Sequence, residues 1–125
     1  MKTPMIVVAL ALAGSLLPSI GLQAGEVEIV KAEAYPLEKD LWRFDVTLRH
    51  GDTGWDHYAN QWDVVGPDGT VLGVRKLLHP HVNEQPFTRS LVGVVIPEAI
   101  EEVTIRAHDS VHGIAQNGLI VKLRR

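Results

Sequence analysis

Histidine is the residue on which any chemistry in this chain would turn. Six occur, at positions 50, 57, 79, 81, 108 and 112, and imidazole is both the commonest metal ligand and the side chain that changes charge nearest neutral pH. Two of them fall in one polar, proline-bracketed segment, His79-Pro80-His81-Val82-Asn83-Glu84-Gln85-Pro86-Phe87-Thr88-Arg89-Ser90. His79 and His81, joined by His57, His112 or a carboxylate such as Asp56, Glu84 or Asp109, supply the donor types of a three- or four-ligand copper or zinc site. The chain has no cysteine, so imidazole and carboxylate would carry all the binding. An H-x-H pair on extended backbone projects to opposite faces, and the two rings share an ion only if the chain turns at Pro80. A structural role explains the same residues. Pro80 and Pro86 stiffen a long loop, its polar side chains satisfy backbone groups that have left a sheet ladder, and Arg89 pairs with Asp109, Asp56 or Glu84. His50 and His108 read as rim or hydrogen-bonding residues at strand ends.

Trp55-Asp56-His57-Tyr58 is the second conspicuous group. Aromatics beside a carboxylate can anchor a protein partner or stack on a sugar, or fold back as a lid. With Glu84 and Arg89, these residues (Trp55, Asp56 and Tyr58) form a candidate interaction surface. Ser90, Ser110, histidine and aspartate are all present, but no Ser-His-Asp or paired-carboxylate assignment is specific, a G-x-S-x-G motif is absent, and Gly66-Pro67-Asp68-Gly69 is turn chemistry rather than a phosphate loop. The expectation is therefore a non-enzymatic domain.

The elements that must position these residues are strands. In Leu41–His50, Trp42, Phe44, Val46 and Leu48 alternate with Arg43, Asp45, Thr47 and Arg49, the period of a half-buried strand. Similar runs span Glu26–Tyr35, the stretch around Trp62–Val65, Val71–Leu78, Leu91–Ile96, Val103–His108 and Leu119–Leu123, with turn residues between them and no sustained helical period. Seven short strands so spaced predict a single antiparallel immunoglobulin-like β-sandwich with Trp62 as its core anchor; a jelly roll or small barrel is the competing architecture. Alternating strand direction brings all six histidines to one end, on three loops spanning Asp52–Asn60, His79–Ser90 and Ser110–Gly118.

Residues 1–24 are set apart. Lys2, the apolar run Ile6–Leu17 and the small-residue end at Ala24 have the order of a secretory signal, with cleavage expected after Ala24. The run is shorter than the ~18 residues that span a bilayer, which disfavours a retained anchor. Without cysteine there is no lipid acceptor at this junction. Cleavage leaves residues 25–125 as the sandwich domain, periplasmic or secreted, and loss of Lys2 takes the formal charge from −3 to −4. A weakly acidic chain without a basic cluster argues against nucleic acid and, after cleavage, against a membrane surface as partner. The expected partners are a metal ion or an exported protein.

From Trp42 to about Leu123 the chain resembles a family of small exported bacterial β-sandwich domains of uncharacterised function. They share patterns such as D-T-G-W-D-H-Y, W-x-V-x-G-P-D-G and L-H-P-H-V-x-E-Q-P-F-T-R-S. The resemblance implies a sandwich and transfers no catalytic role. There is a looser likeness to immunoglobulin-like exported proteins that handle copper or sulfur compounds. This chain departs from them in lacking a cysteine ligand and in having no histidine near Gly25.

Overall fold

The computed structural model describes residues 25–125; the predicted signal segment, residues 1–24, lies outside the described residues. Eight strands follow in order: β1 (Glu28–Pro36), β2 (Leu41–Arg49), β3 (Ala59–Val65), β4 (Val71–Lys76), β5 (Phe87–Val95), β6 (Glu102–Asp109), β7 (Gly113–Ile114) and β8 (Leu119–Lys122). One sheet has the order β1-β2-β5. The other has β4-β3-β6, with β7 and β8 both on the far edge of β6. Every pairing is antiparallel. The chain crosses between sheets after β2, β4 and β5, the Greek-key connectivity of an immunoglobulin-like sandwich. β7 is a two-residue ladder opposite His108 and Asp109, while β8 pairs with Glu102–Ile105, so the last edge is one strand broken in the middle.

The inward faces form as the alternation dictates. Trp42, Phe44, Val46 and Leu48 of β2 are buried, and they share one core with Trp62 and Val64 of β3 and Val103, Ile105 and Ala107 of β6. Burial of side chains of this size stabilises a fold by roughly 1.5–3 kcal/mol each. In a cysteine-free chain this core carries the stability.

β7 falls within the segment expected as the Ser110–Gly118 loop, and two longer strands begin earlier than expected. β5 begins at Phe87, four residues before the predicted Leu91, so the polar segment ends in a strand: Phe87 pairs with Leu48, Thr88 with Thr47 and Arg89 with Val46. Phe87, Arg89 and Leu91 face inward there, and Arg89 occupies an inward position because it lies near the end of the sandwich. At Gly93 the chain takes φ +86° and the register slips, Trp42 facing Val94 while Arg43 faces Val92. This glycine-based bulge switches phase and turns Val94 into the core. β3 likewise starts at Ala59, earlier than its apolar alternation suggests.

Candidate metal centre

The end of the sandwich where β2 and β6 finish and β3 begins holds a buried polar cluster. His50 follows β2, Asp109 closes β6, and their neighbours come from the loop before β3 and the turn after β6. The start of β3 is tied to the end of β6: Ala59 faces Asp109 in the ladder, and the Ser110 N–H donates to Tyr58 O at 2.9 Å.

Asp109 is at the centre and is 2% exposed. Its Oδ1 accepts the backbone N–H of Val111 at 2.8 Å and of His112 at 2.6 Å, and its Oδ2 accepts from His112 Nδ1 at 3.1 Å. Burial alone would push this carboxyl up. The backbone N–H groups of His112 and Val111, with the His112 ring, outweigh it and hold the group below its ordinary value. Because His112 donates through Nδ1, its neutral ring keeps the lone pair on Nε2.

His57 Nε2 stands 3.3 Å from Asp109 Oδ1 and is a buried nitrogen with no hydrogen-bond partner. His50 is 4% exposed and lies between two acceptors, with Nδ1 2.5 Å from Asp52 Oδ1 and Nε2 2.6 Å from the Gly25 carbonyl oxygen. Nε2 is also 3.9 Å from Asp109 Oδ2. Both contacts of His50 are satisfied as hydrogen bonds only when the ring carries two protons; with an ion at Nε2 the ring keeps one proton, donated to Asp52. A carboxylate that holds the far nitrogen of an imidazole is the usual support of a metal-ligating histidine.

His50, His57 and Asp109 each offer a donor atom within 4.8 Å of the other two. Ligands about 2.0–2.1 Å from a tetrahedral ion stand roughly 3.3 Å apart. The His57–Asp109 pair has that spacing through Oδ1, and His50 is 3.9 Å from the other oxygen, Oδ2, so the side chains must draw together for all three to hold one ion. The His112 ring stacks obliquely on His57 with centroids 5.0 Å apart and stands at the edge of the same group.

Asp52 joins this cluster to a second one. Its carboxylate accepts from His50 Nδ1, from Ala59 N at 3.0 Å and from His81 N at 2.7 Å. His81 is 5% exposed and lies flat on Phe87, with ring centroids 4.0 Å apart. Its Nε2 is 2.8 Å from Arg89 Nη2. Guanidinium only donates, so Nε2 accepts and the ring is neutral. Burial, then the positive charges of Arg89 and His79, hold His81 below its ordinary value. The chain turns at Pro80 so that the His79 and His81 rings lie 4.7 Å apart on the same side. With them, Arg75, Leu77, Leu78 and Arg89 line a half-open pocket of about 100 Å³.

The structure thus sorts the sequence candidates into two groups. His57 and His112 meet Asp109, whereas His79 and His81 meet Phe87 and Arg89. Arg89 pairs with Glu84 at 3.3 Å, one of the three partners expected for it. Trp55 is 66% exposed and packs edge-on against Tyr58 at 5.5 Å, and Asp56 is exposed on the same loop. Of the two histidines read as rim or hydrogen-bonding residues, His50 does hydrogen-bond but is buried, not on the rim, because the loop after β2 folds back over it. His108 lies on the outer face of β6 and pairs with Asp63 at 2.7 Å. The sequence names Asp52 only as a loop boundary and Gly25 only as the residue after the signal-like segment, not as partners of His50. A short polar residue two positions after a strand-ending histidine is the only hint of Asp52, and it is common to many turns.

Fold and site define an antiparallel β-sandwich with a buried imidazole–carboxylate cluster at one end. The chain is similar to a protein of Halomicrobium mukohataei described as "Putative lipoprotein", with 44% identity over 78 residues, 62% of this chain. That match spans 38% of the relative's length. No family model matches the chain, and no solved structure matches it.

Proposed function

We propose that this is an exported, non-enzymatic domain that binds a copper or zinc ion at His50, His57 and Asp109, with His112 beside them. The observation that carries the reading is His57 Nε2, buried, without a hydrogen-bond partner and 3.3 Å from a carboxylate oxygen. Most buried polar groups in a fold find a partner, and an unpartnered imidazole nitrogen this close to a carboxylate is a place for a cation; His81 Nδ1 is also unpartnered, but its ring carries the Arg89 cation on its other nitrogen. Charge supports the same reading: two buried carboxylates, Asp52 and Asp109, balance one divalent ion with all imidazoles neutral. Export is supported by the signal-like residues 1–24 and by the similarity to a protein described as a lipoprotein. His79 and His81 suit an ion less well, since the Arg89 cation occupies His81 Nε2.

The test is titration of metal-free protein with Cu(II) and Zn(II). One ion is expected per chain, with a rise in thermal stability of about 2.7 kcal/mol at a free-ion concentration 100-fold above Kd. His57→Ala and Asp109→Asn should each weaken binding at least 10-fold, and the double variant His79→Ala/His81→Ala should leave it unchanged. Absence of stoichiometric binding would overturn the reading, and loss only in the His79/His81 variant would move the site to that pair.

A second reading rests on Trp55, whose 66% exposure beside Tyr58 suits capture of an exported protein partner. It requires that Trp55→Ala/Tyr58→Ala abolish capture while folding is retained.

A further inference from the structure

We propose that export completes the metal centre: cleavage after Ala24 frees the α-amino group of Gly25, and this amine, with the Gly25 carbonyl oxygen, chelates the ion held by the histidine cluster. The inference rests on the metal-binding reading above and on the expected cleavage position.

Two lines lead independently to Gly25. The signal-like pattern of the sequence ends at Ala24, which makes Gly25 the first residue of the processed chain. The fold places that residue against the cluster. Its carbonyl oxygen is 2.6 Å from His50 Nε2. A Cβ on Gly25 would stand 2.8 Å from His112 Cε1, 3.2 Å from His57 Cε1 and 3.5 Å from His112 Nε2. A Cβ there would press on the His112 ring, and the α-nitrogen lies about 1.5 Å from the same Cα.

In the unprocessed chain this nitrogen is an amide, a poor donor whose lone pair is delocalised into the carbonyl. Hydrolysis by a signal peptidase adds water across the Ala24–Gly25 bond, leaving a carboxylate on Ala24 and an ammonium group on Gly25. On binding an ion the ammonium loses one proton to solvent and the neutral amine donates its lone pair. Amine nitrogen and carbonyl oxygen of one residue close a five-membered ring with the ion. The centre then offers the Gly25 amine and the imidazoles of His50 and His57, with His112 Nε2 beside them, as nitrogen donors, and Asp109 and the Gly25 carbonyl as oxygen donors. A nitrogen-rich set with oxygen suits Cu(II). Coupling ligation to processing would keep the site incomplete until the chain has crossed the membrane.

The experiment compares two proteins: the chain exported with its own residues 1–24 and recovered after processing, and a chain prepared to begin at Leu22, in which the Gly25 nitrogen stays an amide. Mass spectrometry of the exported protein should give residues 25–125. Metal-free melting curves of the two should coincide, which removes folding from the comparison. Cu(II) competition titrations should show at least 10-fold tighter binding by the processed protein. Its electron paramagnetic resonance spectrum should carry one more nitrogen donor than that of the extended protein. Equal affinity and identical spectra would overturn the inference while leaving the histidine site intact; a processed terminus at another residue would also overturn it. Failure of both proteins to bind Cu(II) or Zn(II) would overturn the metal reading itself.

Discussion

Asp52→Ala is expected to be among the most damaging single substitutions at the loop end. The carboxylate has no exposed side-chain surface and accepts three donors, His50 Nδ1 at 2.5 Å, His81 N at 2.7 Å and Ala59 N at 3.0 Å. Those donors belong to the end of β2, the segment between β4 and β5, and the start of β3, so one side chain fastens three stretches of chain. Truncation leaves all three without an acceptor. A buried donor left unsatisfied costs about 1–3 kcal/mol. Water entering the vacated space offsets part of that, so the low end, near 1 kcal/mol per donor, gives a total of about 3 kcal/mol. A domain of this size has only about 5–15 kcal/mol of stability. The melting temperature should fall by roughly 12–24 °C, at about 4–8 °C per kcal/mol. Urea unfolding should show a lower midpoint with an unchanged slope, since the surface exposed on unfolding is the same. Asp52→Asn keeps one acceptor oxygen and should lose less. An Asp52→Ala protein within about 1 kcal/mol of the parent would refute the reasoning, because it would mean that the three donors find equivalent partners elsewhere.

Asp63 predicts an acid limb to the stability curve. Burial alone would raise this carboxyl; hydrogen bonds from Gln61, His108 and Arg106 outweigh it and hold the group below its ordinary value. A depressed carboxyl contributes stability that is fully present above the unfolded value, near pH 4, and is lost as pH falls through the folded value. Asp63→Asn should flatten the fall in unfolding free energy below about pH 4, measured by urea titration at several pH values; an unaltered slope would refute the assignment. Gly93→Ala should cost about 1–2 kcal/mol, because the φ of +86° is strained for a residue with a Cβ although no atom crowds the position. Denaturant midpoints check this, and an unchanged midpoint would show that β5 relaxes its bulge.

The frame of the molecule was legible because the strands obey a period of two. Trp42, Phe44, Val46 and Leu48 read as one face of β2, and all four are buried on that face. Strand direction placed the loops of His57 and His112 at the same end. Contacts that depend on how loops fold were not legible. Phe87-Thr88-Arg89-Ser90 reads as loop because one apolar residue among polar ones carries no period, yet Thr47 and Thr88 meet hydroxyl to hydroxyl at 2.7 Å across the ladder. His50 reads as a rim or hydrogen-bonding residue because sequence position gives its height on the strand but not what lies above it; its hydrogen bonds fit that reading and its burial does not. Its partners Asp52 and Gly25 reach it by the fold of irregular segments, for which hydrophobic periodicity gives no signal.

The composition of the cluster separates what stability requires from what it does not. An end of a sandwich is closed most cheaply by apolar side chains; replacing a buried charged network by packed hydrophobic residues is often neutral or stabilising. Here the closing layer contains two buried carboxylates, a fully buried imidazole and two further imidazoles. Most of these groups are satisfied locally. Asp52 has its three donors, and Asp109 has two backbone N–H groups and the His112 ring. Packing and hydrogen bonding therefore account for Asp52, for Asp109 and for one nitrogen of His112. They leave over the lone pair on His112 Nε2 and the unpartnered His57 Nε2, both within a few ångströms of Gly25 or Asp109. Imidazole nitrogens without a partner in the fold, gathered around a carboxylate whose charge is retained, are what a cation would need.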